Sequence, residues 1–312
     1  MSTIQISKRQ SNVIKGIACL LIVAHHFCAR LMGKGSEDLI INFIGVRGGG
    51  IGVTIFFFLS AWGLSESQSK NNYPFGIFVR RRLSKVYVPL VITNIVYYLF
   101  LLIYRKISFN LSSFVLNALN IDYIDGVLWF CNTILIFYLI FYVSFLPKTK
   151  WLKVLICFVS TIIYSVLSTI IFPDSPFYVY SIVGFPFGMM CSLYKENMLK
   201  ITHWGSWSII ALLFFFVGAM VLPEYRNHFL MNSYCFILLV VLVAIIQRIG
   251  FSNKLMVLPF IGIYSYEIYL IHNKVLDPLG DAGYSNWYPL AFLTIVIPLS
   301  ILLNKLIKVI LK

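Results

Sequence analysis

The feature that most limits the possible folds of this chain is a succession of apolar runs, each as long as a membrane-spanning helix. Runs of about 17–25 mostly apolar residues, bounded by charge, Pro or Gly, have the length that a helix needs to cross the hydrocarbon core. Charged residues make up only 12% of the chain, against about 25% in an ordinary soluble domain. The runs therefore predict an all-α, polytopic membrane protein and exclude a soluble two-domain enzyme.

Ten such runs predict ten transmembrane helices. They lie at roughly 12–33, 46–66, 84–104, 127–146, 151–172, 177–194, 206–222, 229–249, 253–273 and 288–309. The sixth is the weakest, because Pro186 and Gly188 interrupt it. Stretch 107–124 is too polar to cross a membrane, so we expect it to lie along the surface.

The distribution of basic residues predicts the orientation of these helices. If the N-terminus is cytoplasmic, most Lys and Arg fall in cytoplasmic segments and most Asp and Glu fall outside. The positive-inside rule then predicts that both termini are cytoplasmic. The net charge of +14 is explained by topology and implies no nucleic-acid partner. No cleavage site follows the first run, so we expect that run to be retained as a helix. We also expect residues 1–312 to form a single transmembrane domain with no appended soluble domain.

The cysteines give no pattern typical of a metal site or a disulfide framework. Each lies singly in or beside an apolar run, and none forms a C-x-x-C pair. They are Cys19, Cys28, Cys131, Cys157, Cys191 and Cys235. We expect them to be small buried hydrophobes and expect no metal.

An ionisable residue, His26, lies inside the first apolar run, which is costly and therefore marks a candidate functional site. Lys15 precedes it by eleven residues, a helical rise of about 16 Å, and is expected near the cytoplasmic interface. His25 points about 100° away from His26, so at most one of them faces a given site. A structural, hydrogen-bonded role for His26 remains an alternative.

Two further clusters carry charge or polarity. Four cations lie at the head of the third run, at Arg80, Arg81, Arg82 and Lys85. They can act as topology signals or bind lipid headgroups, or they can clamp phosphate oxygens. Near the end, Glu267 is expected at the depth of His26, where it can orient that imidazole, and His272 is expected at the outer mouth. Alternatively, Glu267 is protonated or pairs elsewhere.

The glycine-rich run from Gly45 to Gly52 is not a phosphate-binding loop, because it lacks the G-K-[ST] ending. Glycines at such a position more often allow close helix packing or a backbone bend.

In this order, these pieces resemble the acyltransferase 3 family of bacterial membrane proteins, and the likeness spans nearly the whole chain. The matching residues are Asn12, Lys15, Gly16 and His26 in the first helix; Gly52, Val53, Thr54, Phe56, Phe57, Leu59, Ser60 and Ala61 in the second; Arg80–Lys85 and Pro89; Leu128 and Trp129; and Ser265, Tyr266, Tyr269, Leu270 and His272. Lys15 replaces the family's usual Arg, and Asn12 and Thr54 replace acids.

The resemblance implies O-acyl transfer, usually of acetyl, from cytoplasmic acetyl-CoA to a hydroxyl of a surface polysaccharide or its lipid-linked precursor, in the bacterial inner or plasma membrane. His26, with Glu267, would be catalytic as general base or acyl carrier. The donor's phosphates would be bound by Lys15, Arg80, Arg81, Arg82 and Lys85. The substrate would be bound by His25, Ser60, Trp129, Tyr266, Tyr269 and His272.

Two other function classes remain open. A proton-coupled transporter or flippase of a lipid-linked or anionic solute would use His26, Glu267 and His272 as a proton relay. Such proteins often have repeated halves, which this sequence lacks. A membrane receptor or scaffold would tolerate free replacement of these polar residues.

Overall fold

In the computed structural model, the described residues are 6–33, 35, 38–196, 237–239, 256–281 and 288–311, and their regular structure is helical. The α helices are α1 Lys8–Met32, α2 Leu39–Asn71, α3 Phe75–Tyr104, α4 Leu111–Ala118, α5 Trp129–Phe145, α6 Lys150–Ile171, α7 Gly184–Leu193, α8 Val257–Ile263, α9 Ser265–Asp281 and α10 Tyr288–Ile310. Two short 3-10 helices lie at Gly126–Leu128 and Pro176–Tyr178.

Short polar side chains fix where several of these helices begin. Ser7 and Gln10 form a reciprocal capping box at the start of α1, which satisfies two otherwise unpaired backbone groups. The Asp38 carboxylate accepts hydrogen bonds from the second and third amides of α2, both at 2.9 Å. At its other end, α2 stops at Asn72, whose φ of 45° is left-handed. Local sequence therefore determines these helix ends.

Six of the ten predicted spans correspond to helices long and apolar enough to cross a membrane. They are Lys8–Met32, Leu39–Asn71, Phe75–Tyr104, Gly126–Phe145, Lys150–Ile171 and Leu293–Ile310. The predicted span 177–194 contains a single α helix, the ten-residue α7, after the end of the 3-10 helix Pro176–Tyr178. The predicted spans 206–222 and 229–249 lie outside the described residues, apart from 237–239. The polar stretch 107–124 holds only the eight-residue α4, as expected of a segment that does not cross. The orientation of the termini stays a prediction.

The ninth predicted span, 253–273, differs from expectation because its helix is interrupted at Tyr264. The part before the interruption is α8, and the part after it is α9, which continues to Asp281. Glu267 consequently lies in the first turn of α9. Its height cannot be counted along one continuous helix from residue 253, so its expected match in depth with His26 stays a prediction.

The chain forms two compact units: Met1–Asn72 with Leu139–Ile263, and Tyr73–Tyr138 with Tyr264–Lys312. In the first unit, α2 packs against α1 and α7. Phe57 and Phe58 are fully buried and contact Phe185 and Phe187 of α7, with ring centroids 6.5 and 6.0 Å apart respectively. Much of the apolar motif in α2 therefore forms the core of this unit.

Glycines allow the close approach of α1 and α2, as the sequence predicted. A Cβ added at Gly52 would lie 2.6 Å from the Ala18 carbonyl oxygen, and one at Gly48 would lie 3.0 Å from that of Leu21. Contacts of Gly184 and Gly188 with α2 backbone are equally tight. The small residues thus form a face on which neighbouring backbones meet, which is how helices pack strongly in membranes.

We expect Gly52→Ala to destabilise the first unit, whereas Gly63→Ala on the same helix does not. The added methyl at Gly52 meets a carbonyl oxygen and the Ile22 side chain, and such overpacking costs about 1–3 kcal/mol. A methyl at Gly63 meets none of the described atoms within 4 Å, and alanine favours helix over glycine. Thermal unfolding of the purified variants in detergent measures both effects. Equal losses of stability would contradict the packing role of Gly52.

The second unit is built from α3, α4, α9, α10 and the beginning of α5. Helices α9 and α10 pack together, and both contact α3. Three buried asparagines join α3 to the α4–α5 connection: the Asn94 amide donates to Asn117 O at 3.0 Å and to Asn120 Oδ1 at 3.3 Å. Asn120 in turn donates to Asn132 Oδ1 at 3.0 Å. This network holds the connection that carries Asp125.

Candidate functional site

The two adjacent histidines of α1 have different surroundings in the first unit. His25 Nδ1 lies 3.3 Å from the Ile44 carbonyl oxygen, to which it donates in the Nδ1–H tautomer. The His25 ring also fills the space beside Gly49, where a Cβ would lie 2.6 Å from His25 Cδ2. His25 therefore fits into the glycine face of α2 and joins the two helices.

His26 lies next to His25 on α1 and is half-buried. The two ring centroids are 4.8 Å apart, with the planes inclined at 68°. The backbone carbonyl of His26 accepts a hydrogen bond from Arg30 Nη1 at 3.1 Å. Histidine is the side chain that most often serves as a general acid or base in catalysis. His25 thus has an observed packing role between α1 and α2, whereas the catalytic role of His26 stays a prediction.

The remaining first-unit predictions lie on α1 and α2. Lys15 is half-buried on α1, beside Gly16, which packs against the backbone of Leu258 in α8. Ser60 is half-buried on α2, between the buried residues Leu59 and Ala61. Thr54, which replaces an acid of the family pattern, is fully buried and donates to the Gly50 carbonyl oxygen at 2.7 Å. That threonine therefore satisfies its hydroxyl within its own helix.

The predicted basic cluster lies in the first turns of α3, in the second unit. Arg80, Arg81 and Lys85 are exposed, and Arg82 is half-buried. Arg81 and Lys85 share one helix face because they are four residues apart. The guanidinium carbon of Arg81 lies 4.6 Å from the centre of the Tyr73 ring, a cation–π contact that limits the movement of the side chain. The structure therefore presents several cations together at an accessible helix end.

A buried ion pair that the sequence did not predict lies at the centre of the second unit. Lys274 Nζ is 3.1 Å from Asp125 Oδ2, and the two side chains are 6% and 1% exposed. The other carboxylate oxygen of Asp125 accepts from Asn273 Nδ2 at 2.6 Å and from the Val127 amide at 3.3 Å. Both oxygens are thus satisfied, as a buried carboxylate requires.

Three predicted substrate-binding residues of α9 lie in this unit. Tyr266 donates to the Val86 carbonyl oxygen at 2.6 Å, and Tyr269 donates to that of Val127. His272 is fully buried, with Nδ1 2.7 Å from the Tyr269 carbonyl oxygen and its ring centroid 5.7 Å from that of Tyr269. The structure brings Tyr269 and His272 together beside the loop that carries Asp125.

Glu267 and Trp129 also lie in the second unit. Glu267 is buried, and its Oε1 accepts from Asn304 Nδ2 of α10 at 2.5 Å. Trp129 is half-buried at the start of α5, with its ring centroid 6.3 Å from that of Phe130. Glu267 thus has a hydrogen-bond partner within its own unit, and its predicted role towards His26, a residue of the first unit, stays a prediction.

Sequence reasoning treated Asp125 and Lys274 only as charges that report topology. Their opposite charges on the same predicted side of the membrane could have indicated an ion pair, because charged residues are sparse in this chain. Asn94 inside an apolar span was a second such signal. The pairing itself could not be found from spacing, since the partners are 149 residues apart.

Comparison with known proteins identifies the family of the chain. A family model of an acyltransferase domain, Acyl_transf_3, matches residues 9–307. No curated protein and no solved structure matches the chain.

Proposed function

The chain belongs to the acyltransferase 3 family, and on this premise we propose that it transfers acetyl from acetyl-CoA to a hydroxyl of a surface polysaccharide or of its lipid-linked precursor. The observation that carries the proposal is His26, a half-buried imidazole on an apolar helix beside a histidine that packs against α2. The multi-pass architecture fits a bacterial inner or plasma membrane.

In the proposed reaction, His26 acts as the general base on the acceptor. Its imidazole takes the proton of the acceptor hydroxyl as the oxygen forms a bond to the thioester carbonyl carbon. The carbon–sulfur bond then breaks, and the imidazolium returns the proton to the departing CoA thiolate. The product is an O-acetyl ester, and no further reactant is needed.

An acyl-imidazole intermediate is the alternative path for the same residue. In that path the His26 nitrogen attacks the thioester first, and the acceptor hydroxyl takes the acetyl group in a second step. Incubation with acetyl-labelled CoA in the absence of acceptor distinguishes the paths. Labelled protein that releases its label to hydroxylamine would favour the intermediate, and unlabelled protein favours direct transfer.

The roles proposed for the other residues follow from their chemistry. Arg80, Arg81 and Lys85 are exposed cations suited to the phosphates of CoA, and Arg82 and Lys15 would add positive charge. From the family resemblance we propose an acceptor site that includes Tyr269 and His272, with Tyr266, Trp129, Ser60 and His25 as its further predicted members. Glu267 stays a predicted member of the catalytic site, as the family resemblance implies.

We expect Arg80→Gln/Arg81→Gln/Arg82→Gln to weaken CoA binding without altering the fold. If each of the three cations contributes about 0.2–1 kcal/mol, as surface ion pairs do, the dissociation constant should rise between about threefold and a hundredfold. Because salt screens these contacts, the difference from the native protein should be greatest at low ionic strength. Isothermal titration of the purified proteins with CoA measures it.

The matched control for this cluster is Lys148→Gln/Lys150→Gln/Lys153→Gln, which also removes three cations, two exposed and one half-buried, at the start of α6. This control should bind CoA as the native protein does. An equal loss of affinity in both variants would show a general effect of net charge and would remove the cluster from the donor site.

The function itself is tested by following the acetyl group. Membranes containing the protein are incubated with acetyl-labelled CoA, and label is measured in extracted glycan. Transfer that requires the protein supports the proposal. If glycan stays unlabelled while the same vesicles show proton-coupled solute uptake, the protein is a transporter and the proposal fails.

A further inference from the structure

The second unit contains a large apolar groove that the proposed reaction does not use. It has a volume of about 660 Å³ and is lined by α3, α9 and α10, with Val96, Phe100, Val275, Leu299 and Leu302 among its walls. This volume lies within the range of about 300–1,000 Å³ that is typical of ligand pockets. The lining calls for an apolar occupant.

The groove is continuous with the surface that a membrane would cover. Val96 and Leu302 are each 62% exposed although they line it. They belong to Phe75–Tyr104 and Leu293–Ile310, two of the candidate membrane spans. The groove therefore opens on the face where these spans meet lipid, so lipid chains reach it without crossing the protein.

The length of the groove corresponds to one leaflet of a bilayer. Its wall on α3 extends from Ile92 to Tyr104, which is about 18 Å of helix rise. One leaflet contributes about 15 Å, half of the hydrocarbon core. This length fits a chain that stays within one leaflet, such as a phospholipid acyl chain, better than a long polyprenyl chain.

One end of the groove is polar and carries a small excess of positive charge. There the Tyr104 hydroxyl donates to the Pro278 carbonyl oxygen at 3.4 Å, and Arg105 forms an exposed ion pair with Asp277 at 3.1 Å. Exposed Lys106 follows Arg105 directly in the chain, so this end of α3 carries a second cation besides the one paired with Asp277. Deeper in the groove, the charge of Lys274 is directed to Asp125. The end at Tyr104 thus suits an anionic headgroup.

We infer that this groove binds one acyl chain of an anionic glycerophospholipid, with the headgroup phosphate beside Arg105 and Lys106. The hydrophobic effect does not favour the site over bulk lipid, because lipid tails are as apolar as the groove. The groove instead selects its lipid by two contacts: the acyl chain fills the concave surface, and the anionic headgroup meets the cations at its end. The inference is independent of the acyl-transfer proposal, since it concerns neither His26 nor the α3 basic cluster.

Photo-crosslinking tests the inference. The full-length protein is placed in phosphatidylcholine nanodiscs that contain a small fraction of phosphatidylglycerol with a diazirine in its acyl chain. After irradiation, mass spectrometry locates the labelled residues. We expect α3 and α10 groove residues to be labelled about fivefold more than equally exposed residues of α6, the enrichment expected from one headgroup cation.

Filling the groove should remove that enrichment. Val96→Trp places a large side chain in it, and Val166→Trp on α6 is the matched control because Val166 is similarly exposed. Leu302→Trp, with Leu167→Trp as its control, repeats the test at a second wall position. Only the groove variants should lose label, and size-exclusion profiles identify any variant that fails to fold.

Two results would overturn the inference. Labelling in proportion to exposure on α3, α6 and α10 alike would show ordinary surrounding lipid without a site. Displacement of the label by polyprenyl phosphate, but not by unlabelled phosphatidylglycerol, would show that the groove takes an isoprenoid chain.

Discussion

His26→Ala is expected to reduce acetyl transfer by about 10²–10⁴-fold, the usual contribution of a general acid–base group. The substitution removes the only ionisable group of that side chain while leaving α1 helical, since alanine is a strong helix former. Label transferred from acetyl-CoA to glycan, normalised to the amount of folded protein in the membrane, measures the effect. Leu20→Ala on the same helix is the control, because Leu20 is exposed on the apolar surface.

The neighbouring residue His25 is assigned a structural role rather than a catalytic one, and His25→Gln tests that role. His25 hydrogen-bonds to the Ile44 carbonyl oxygen and fills the space beside Gly49, so His25→Gln should lower the unfolding temperature by the loss of about one hydrogen bond and some packing. If His25 binds substrate, the variant should instead raise KM at unchanged stability. If His25→Gln loses catalytic rate as severely as His26→Ala does at equal folding, the roles assigned to the two residues are wrong.

Lys274→Met is expected to destabilise the protein by about 3–5 kcal/mol, because it leaves a buried carboxylate without its cation. Asp125 is only 4% exposed and its remaining partners are Asn273 and a backbone amide. The loss is a large part of the roughly 5–15 kcal/mol by which folded proteins are stable. Thermal unfolding in a single detergent measures it.

A double variant distinguishes the ion pair from general packing. Asp125→Asn/Lys274→Met removes both charges and leaves an amide oxygen for Asn273 to donate to, so it should recover much of the stability that Lys274→Met loses. The ion pair between Arg105 and Asp277 is the exposed counterpart in the same unit, since each of its side chains is 43% exposed. Arg105→Gln should therefore lower the free energy of unfolding by only about 1 kcal/mol or less. Additive losses in the double variant would mean that Asp125 and Lys274 do not interact.

The buried ion pair also bears on the proposed acceptor site. Asp125 caps the 3-10 helix Gly126–Leu128, and Val127 of that helix accepts the hydrogen bond of Tyr269. Loss of the pair would therefore loosen the support of Tyr269. The ion pair thus supports α9 residues that have a proposed role in binding. Such a role is a reason for two charged residues to lie inside an apolar unit.

Local features of the sequence were enough to predict most of the helices. Apolar length and the scarcity of charge predicted ten spans, and six of them correspond to helices long and apolar enough to cross a membrane. The glycine run Gly45–Gly52 predicted the close packing of α1 on α2. The interruption at Tyr264 was not predicted, because no proline lies at that point and the apolar run continues across it. The short α7 was foreseen only as a weak span, through Pro186 and Gly188.

Sequence alone therefore determined that this chain is helical and suited to a membrane, and the order of its motifs indicated the family that the match over residues 9–307 shows. These properties depend on composition and on spacing within single helices. Tertiary structure decided which of two adjacent histidines packs against the glycines of α2, that Asp125 pairs with Lys274, and that α3, α9 and α10 enclose a groove. Each of these depends on residues distant in the chain, and in a medium where apolar contacts favour no one partner, close packing and buried polar pairs select the arrangement.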